Sequence, residues 1–214
     1  MLVIGVAGGV ASGKSLVTRC LEHFGACVLD ADKLGHEVLL QTEVIGLIVD
    51  RWGSGILVDN MIDRKRLAEI VFATGPSGQQ ELEALEAITH PRIGQLVRER
   101  IQAFRDNRQC QATVLDAPVM FKAGWDQVCD EILFVDAPLD VRQQRAASRG
   151  WDEDELTKRE SRQIAVSVKK NLSTGIIDNS GSIEETYYQV RDLWRQWNLK
   201  LPEKLESPST LFST

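Results

Sequence analysis

The chain has no run approaching the ~18 consecutive apolar residues of a membrane-spanning helix, which argues against a membrane partner. Its apolar start, MLVIGVAGG, lacks a basic leader and a small-residue cleavage site, and reads as a buried strand. Cysteine is scarce: Cys20, Cys27, Cys110 and Cys129 show no CxxC spacing, the pattern of reduced thiols in a cytoplasmic protein rather than of disulfides or zinc. Positive charge is not in excess. A net charge of −6 opposes a broad nucleic-acid footprint. The five tryptophans lack the pairing or repeat spacing of a base-stacking platform. With 43% apolar and 26% charged residues in 214, the composition is that of a soluble chain able to bury one sizeable core with inserted subdomains.

Short Val/Ile/Leu-rich runs occur at Leu2–Ala7, Cys27–Leu29, Thr113–Leu115, Ile132–Val135 and Ile176–Ile177. Each is bounded by Gly, Asp or Pro, as buried strands of a parallel sheet are. Helix-period segments separate them, at Lys14–His23, within Lys33–Arg105, and at Leu139–Ser148, Glu153–Lys169 and Ile183–Trp197. Strands alternating with helices imply an α/β fold, here a five-stranded parallel sheet covered on both faces. The gap between the second and third strands is too long for one crossover and reads as a helical insertion over 34–108, with ATGPSGQQ (Ala73–Gln80) as an internal turn. A second, arginine-rich insertion over 143–170 has the composition of a solvated helical lid. The core is then 1–33, 109–142 and 171–198, and 199–214 a polar, proline-interrupted tail expected to fray.

Chemistry enters at Gly8-Gly9-Val10-Ala11-Ser12-Gly13-Lys14-Ser15, which fits G-x-x-x-x-G-K-[ST] between a strand and a helix. Glycines let successive N–H groups turn around a phosphate chain, and the following helix N-terminus adds its dipole. Lys14 would neutralise the transferring phosphates and the Ser15 hydroxyl would ligate Mg²⁺. The motif predicts a nucleotide phosphate site.

Asp30 and Asp32 follow the second strand, and on an extended segment residues i and i+2 project to one side. At the carboxyl ends of the strands, such carboxylates can accept a hydroxyl proton or hold a metal-bound water. A helix N-cap at Asp32 explains one aspartate but not the pair. Asp116 ends the third strand, either as a water-mediated second Mg²⁺ contact or as a cap, and Asp136 reads as structural. The stretch Val141–Gln163 carries five arginines; Arg145 and Arg149 are candidates for phosphate charge, while Arg142, Arg159 and Arg162 suit a solvated face with i,i+4 pairs. His90, beside Pro91 and Arg92, is a candidate contact for an anionic substrate, with Pro91 marking a helix start or break. His36, a turn beyond Asp32, is a candidate to face the acceptor cleft.

Together these segments resemble the dephospho-coenzyme A kinase family over about residues 1–197. The resemblance rests on GVAGGVASGKS, VLDADKLGHEV, IDRKRLAEIVF, ITHPRI, VLDAPVMFKAGWDQVCDEILFVDAP, RAASRGWDEDELTKRESRQ and IIDNSGS, in the family's order. It implies a P-loop core like that of nucleoside monophosphate kinases, a helical CoA-binding domain at 34–108 and a lid. It implies ATP and dephospho-CoA as substrates, with Mg²⁺ accompanying ATP; a cytoplasmic monomer or small homo-oligomer is expected. Residue by residue, Ala11–Leu16 matches the ATP phosphate loop, Asp32 the catalytic aspartate and Arg145 the lid arginine. Asn179 falls in the loop beside the adenine, and Asp63, Arg64, His90 and Arg92 in motifs shaping the acceptor site. The departures are Leu16 for the usual Thr, Asn60 for a turn glycine, Ser173-Thr174 for Ala-Asp, and Lys122 for a Glu beside the presumed acceptor cleft.

Overall fold

The computed structural model describes residues 1–73, 75–108 and 110–211; Thr74 of the expected turn, the expected core start at 109 and the end of the tail at 212–214 lie outside them. Its strands are β1 (Leu2–Gly8), β2 (Ala26–Asp30), β3 (Leu57–Val58), β4 (Met61–Ile62), β5 (Ala112–Asp116), β6 (Glu131–Asp136) and β7 (Gly175–Asp178). The helices are α1 (Lys14–His23), α2 (Ala31–Val38), α3 (Thr42–Trp52), α4 (Arg64–Val71), α5 (Pro76–Asp106), α6 (Leu139–Ala147), α7 (Glu153–Ser161), α8 (Val166–Asn171), α9 (Ile183–Gln196) and α10 (Pro208–Leu211).

Five strands form one sheet in the order β2-β5-β1-β6-β7, every neighbouring pair parallel. The near-continuous apolar runs seen in the sequence are its strands: Val3 to Val6, Ala112 to Leu115 and Ile132 to Val135 are almost wholly buried. A central strand covered on both faces needs such a run, because neither side meets water. Helices α1 and α9 close one face, where Val17, Leu21, Phe24, Tyr187, Val190 and Trp194 pack on Ile4, Val6, Val114 and Leu133. Phe24 meets the Tyr187 ring edge-on, with centroids 5.1 Å apart. The segment expected to fray adds to this core, with Leu199, Leu201, Leu205 and Leu211 packed against it and Arg19 donating to the Leu211 carbonyl at 3.0 Å.

The register brings chemistry to one edge of the sheet. Asp30 pairs with Asp116, and Asp136 with Asp178, all at strand carboxyl ends, while Gly8 pairs with Val135. β1 lies between β5 and β6, so chain order reverses around it, the place where open α/β sheets bind ligands.

The chain divides into two compact units, Met1–Asp30 with Arg100–Thr214, and Ala31–Glu99. The second holds α2 to α4, most of α5 and a β3–β4 hairpin. Asp59 and Asn60 turn that hairpin with φ of 50° and 61°, so the Asn that replaces a glycine adopts the left-handed backbone that Asn tolerates. Pro91 neither starts nor breaks a helix, contrary to the sequence reading: it lies inside the 31-residue α5. The expected Glu153–Lys169 helix is two, α7 and α8, separated at Arg162–Ala165.

Among the described residues all four cysteines are free, and no helix is long and apolar enough to cross a membrane. Burial pushes the Cys20 and Cys129 thiols up to about 12.

Candidate active site

The Gly8–Ser15 loop leaves β1 and enters α1 with little room for side chains. A Cβ on Gly8 would fall 2.5 Å from the Ser12 hydroxyl oxygen, and one on Gly13 would fall 2.0 Å from Asn179 Nδ2. Gly13 also has φ of +96°, a conformation open mainly to glycine. The Gly9, Val10 and Ser12 carbonyls of the loop are occupied. Lys14 Nζ donates to Gly9 O at 2.9 Å, Arg142 to Val10 O at 3.4 Å, and Arg145 and Asn179 Nδ2 to Ser12 O at 3.1 and 2.7 Å. The N–H groups of Val10, Ala11, Gly13, Lys14 and Ser15 donate to no other described residue. A loop most of whose carbonyls are engaged and whose N–H groups remain, at a helix N-terminus, offers a binding face for an anion.

The charges around it agree. Burial holds the Lys14 ammonium below its ordinary value, opposed by the negative Asp116 and reinforced by Arg149 and Arg142. Arg145 is shifted the same way, by burial and by Arg149. Cations that destabilise one another gain when an anion enters between them. Arg149 is exposed and lies 5.6 Å from the Trp151 ring centroid, with Arg159 over the same ring at 4.1 Å. A cleft of about 400 Å³ opens beside the loop, lined by Val10 and, from the α7–α8 segment, by Thr157, Glu160, Gln163, Ile164 and Lys169.

The donors expected for a metal are oxygens, the kind that suits Mg²⁺. Ser15 is exposed in the first turn of α1, and the Asp116 carboxylate accepts from Thr18 Oγ1 at 3.5 Å. Among the described residues no cluster of three or more His, Cys, Asp or Glu could hold a metal by itself. This donor set fits an ion whose remaining ligands come from phosphate and water.

Leu16, the departure from Thr, packs on the α1–α9 core. Asn179 is 2% exposed and its side chain is engaged at both ends, donating to Ser12 O and accepting from Thr186 Oγ1 at 2.8 Å. Its backbone N–H donates to Asp136 O at 2.8 Å. Asn179 therefore ties the β7–α9 loop to the phosphate loop. Lys122 is exposed in the turn after β5.

Asp30 and Asp32 do not project together from one extended segment. Asp30 is the last residue of β2, beside Asp116, whereas Asp32 is exposed in the first turn of α2, with His36 exposed one turn further on. Within the second unit, Asp63 caps α4, accepting from the N–H groups of Lys65 and Arg66 at 3.0 and 3.3 Å, and Arg64 is exposed beside it. Arg92 pairs with Glu43, and half-buried His90 sits on α5 before Pro91.

Two cations escaped the sequence reading. Arg142 is not on a solvated face: it is 7% exposed, pairs with Glu160 and donates to Ala137 O as well as Val10 O. Lys169 is 4% exposed and donates to Gly8 O at 3.2 Å.

The dephospho-CoA kinase family model matches residues 2–185. The chain belongs to the dephospho-CoA kinase family. A Dephospho-CoA kinase from Geobacter metallireducens is 40% identical over 199 residues, 92% of this chain and 96% of the relative. A crystal structure of a Thermus thermophilus protein superposes with a TM-score of 0.72 at 29% identity, covering 91% of this chain and 97% of that one. The Dephospho-CoA kinase from Campylobacter jejuni shares the fold, with a TM-score of 0.67 at 23% identity over 91% and 96% of the two chains.

Proposed function

We propose that the chain transfers the γ-phosphoryl group of ATP to the ribose 3′-hydroxyl of dephospho-CoA, giving ADP and CoA, the last step of coenzyme A biosynthesis, in the cytoplasm. The observation that carries this reading is a family match running from the phosphate loop through the DAD, THPR and DNSGS segments.

In this reading the free N–H groups of Val10, Ala11, Gly13, Lys14 and Ser15 hold the β- and γ-phosphates. Lys14 turns from the loop carbonyls to the phosphate oxygens. Arg145 and Arg149 offset the charge that gathers on the transferring group and the departing ADP. That contribution matters because phosphoryl transfer through a loose transition state depends on positioning and charge. Ser15 and Asp116 are the residues that would hold Mg²⁺, which supplies further charge neutralisation when bound. Asp32 orients the acceptor hydroxyl and takes its proton as the new P–O bond forms. The Ala31–Glu99 unit is the acceptor-binding domain. There His36, Arg64, His90 and Arg92 meet the anionic CoA moiety, while Asp63 acts through its cap on α4. Asp30 and Lys122 border the same acceptor.

The test is direct. With Mg²⁺-ATP and dephospho-CoA, the purified chain should form ADP and CoA in equal amounts, and a panel of nucleoside monophosphates should yield none of the corresponding diphosphates. ATP binding without CoA formation would instead mark a nucleotide-sensing protein.

A further inference from the structure

The phosphate loop has one lysine of its own, and a second is buried against it from far along the chain. Lys169, on the short helix α8, donates to the Gly8 carbonyl at 3.2 Å and to the Gln163 side-chain oxygen. Lys14 reaches the same Gly8 carbonyl at 3.5 Å and the Gly9 carbonyl at 2.9 Å. Two ammonium groups thus converge on one buried acceptor at the end of β1. Their repulsion is tempered by Glu160 near both and by Asp116 near Lys14, while Arg142 adds to it. A buried ammonium is costly unless its donors are used, so its place at this carbonyl calls for a function.

Phosphate binding supplies one. The Lys14 ammonium has three N–H donors, so turning more than one of them to phosphate oxygens gives up a loop carbonyl, and its longer bond, to Gly8 O at 3.5 Å, goes first. As it turns away, Gly8 O loses a donor, and a buried acceptor left unpaired would weaken nucleotide binding. Lys169 is not part of the loop and stays. The Ser173 hydroxyl, bonded to the Lys169 carbonyl at 2.8 Å, and Gln163 fix it from either side.

We propose that Lys169 is a positioning residue of the ATP site, holding the Gly8 carbonyl of the phosphate loop when Lys14 leaves it for the nucleotide. This rests on the ATP-site reading above. It predicts a selective defect, because the nucleotide-free chain keeps the Lys14 bond and needs Lys169 less than the complex does.

The experiment compares the intact chain with Lys169→Met, which keeps the bulk and loses the donor. Calorimetry gives the Kd for ATP, and steady-state assays give kcat and both KM values. Lys169→Met should weaken ATP binding roughly ten-fold and leave the KM for dephospho-CoA and the kcat at saturating ATP within about two-fold. Lys169→Arg, which retains a donor, should recover part of the loss. Gln163→Leu should show the same selective loss to a smaller degree, and decides the matter if Lys169→Met fails to fold. Unchanged ATP affinity in both the Met and Leu variants would overturn the proposal. So would equal losses for both substrates with a lowered Tm, the mark of a merely structural lysine. A parent chain that binds no ATP would overturn the ATP-site reading itself and this proposal with it, whereas selective failure of the variants' predicted pattern overturns this proposal alone.

Discussion

Arg145 and Asn179 meet on a single atom. Both donate to the Ser12 carbonyl, at 3.1 and 2.7 Å, and Arg145 also donates to the Asn179 carbonyl at 2.9 Å. The phosphate loop, helix α6 and the β7–α9 loop are therefore joined in one triangle of hydrogen bonds. Its geometry couples stability to nucleotide binding, since the residues that fix the loop's shape also place a guanidinium at its mouth.

Asn179→Ala removes two bonds, leaving the Thr186 hydroxyl only its longer 3.3 Å bond to the Ser182 carbonyl and the Ser12 carbonyl only Arg145. Each lost hydrogen bond costs about 0.5–1.5 kcal/mol. The denaturation midpoint in urea should fall accordingly, and the KM for ATP should rise several-fold as the loop loosens.

Arg145→Lys keeps the charge and loses the planar fork that spans two carbonyls. Turnover should fall by about 10²-fold or more, the scale of losing one positioned charge-stabilising donor. Rapid-quench measurement of the first turnover checks that the loss lies in phosphoryl transfer.

Asp32→Asn should separate chemistry from folding. Asp32 is exposed in the first turn of α2, so the chain should stay folded, with a change in Tm small beside the change in turnover. Turnover should fall by about 10²-fold or more with ATP affinity unchanged. A variant that turns over normally removes Asp32 from the mechanism.

Lys169 makes stability depend on pH in a definite direction. Burial, reinforced by Lys14, lowers its pKa to about 8, against an ordinary lysine value of 10.5. Below pH 8 folded and unfolded chains both hold the proton. Between about 8 and 10.5 the unfolded chain binds more, so this residue makes stability rise with pH. The buried cysteines, raised to about 12, act the opposite way above about pH 9. They are common to parent and Lys169→Met, so they cancel in the difference between the two. Urea midpoints at pH 7.5 and 10 should show a rise for the parent relative to the variant.

The strands and the phosphate loop were legible because their signals are local: unbroken apolar runs for a sheet covered on both faces, and a glycine spacing dictated by close backbone approach. The Asp30–Asp32 geometry was not, because α2 begins at Ala31 and turns the second carboxylate out of the strand. Pro91 was misread since α5 continues past it, with Thr89 donating its hydroxyl to the Leu85 carbonyl in the turn before. Arg142 and Lys169 were hidden in a densely charged segment. What distinguishes them are contacts to Val10 and Gly8, 132 and 161 positions away, which no local pattern announces.

The central claim is best tested by the product. Purified chain incubated with Mg²⁺-ATP and dephospho-CoA, followed by chromatography with mass detection, should yield CoA phosphorylated at the ribose 3′ position, with one ADP per CoA. Absence of CoA under conditions where ATP binds, or phosphorylation of a nucleoside monophosphate in its place, would contradict it.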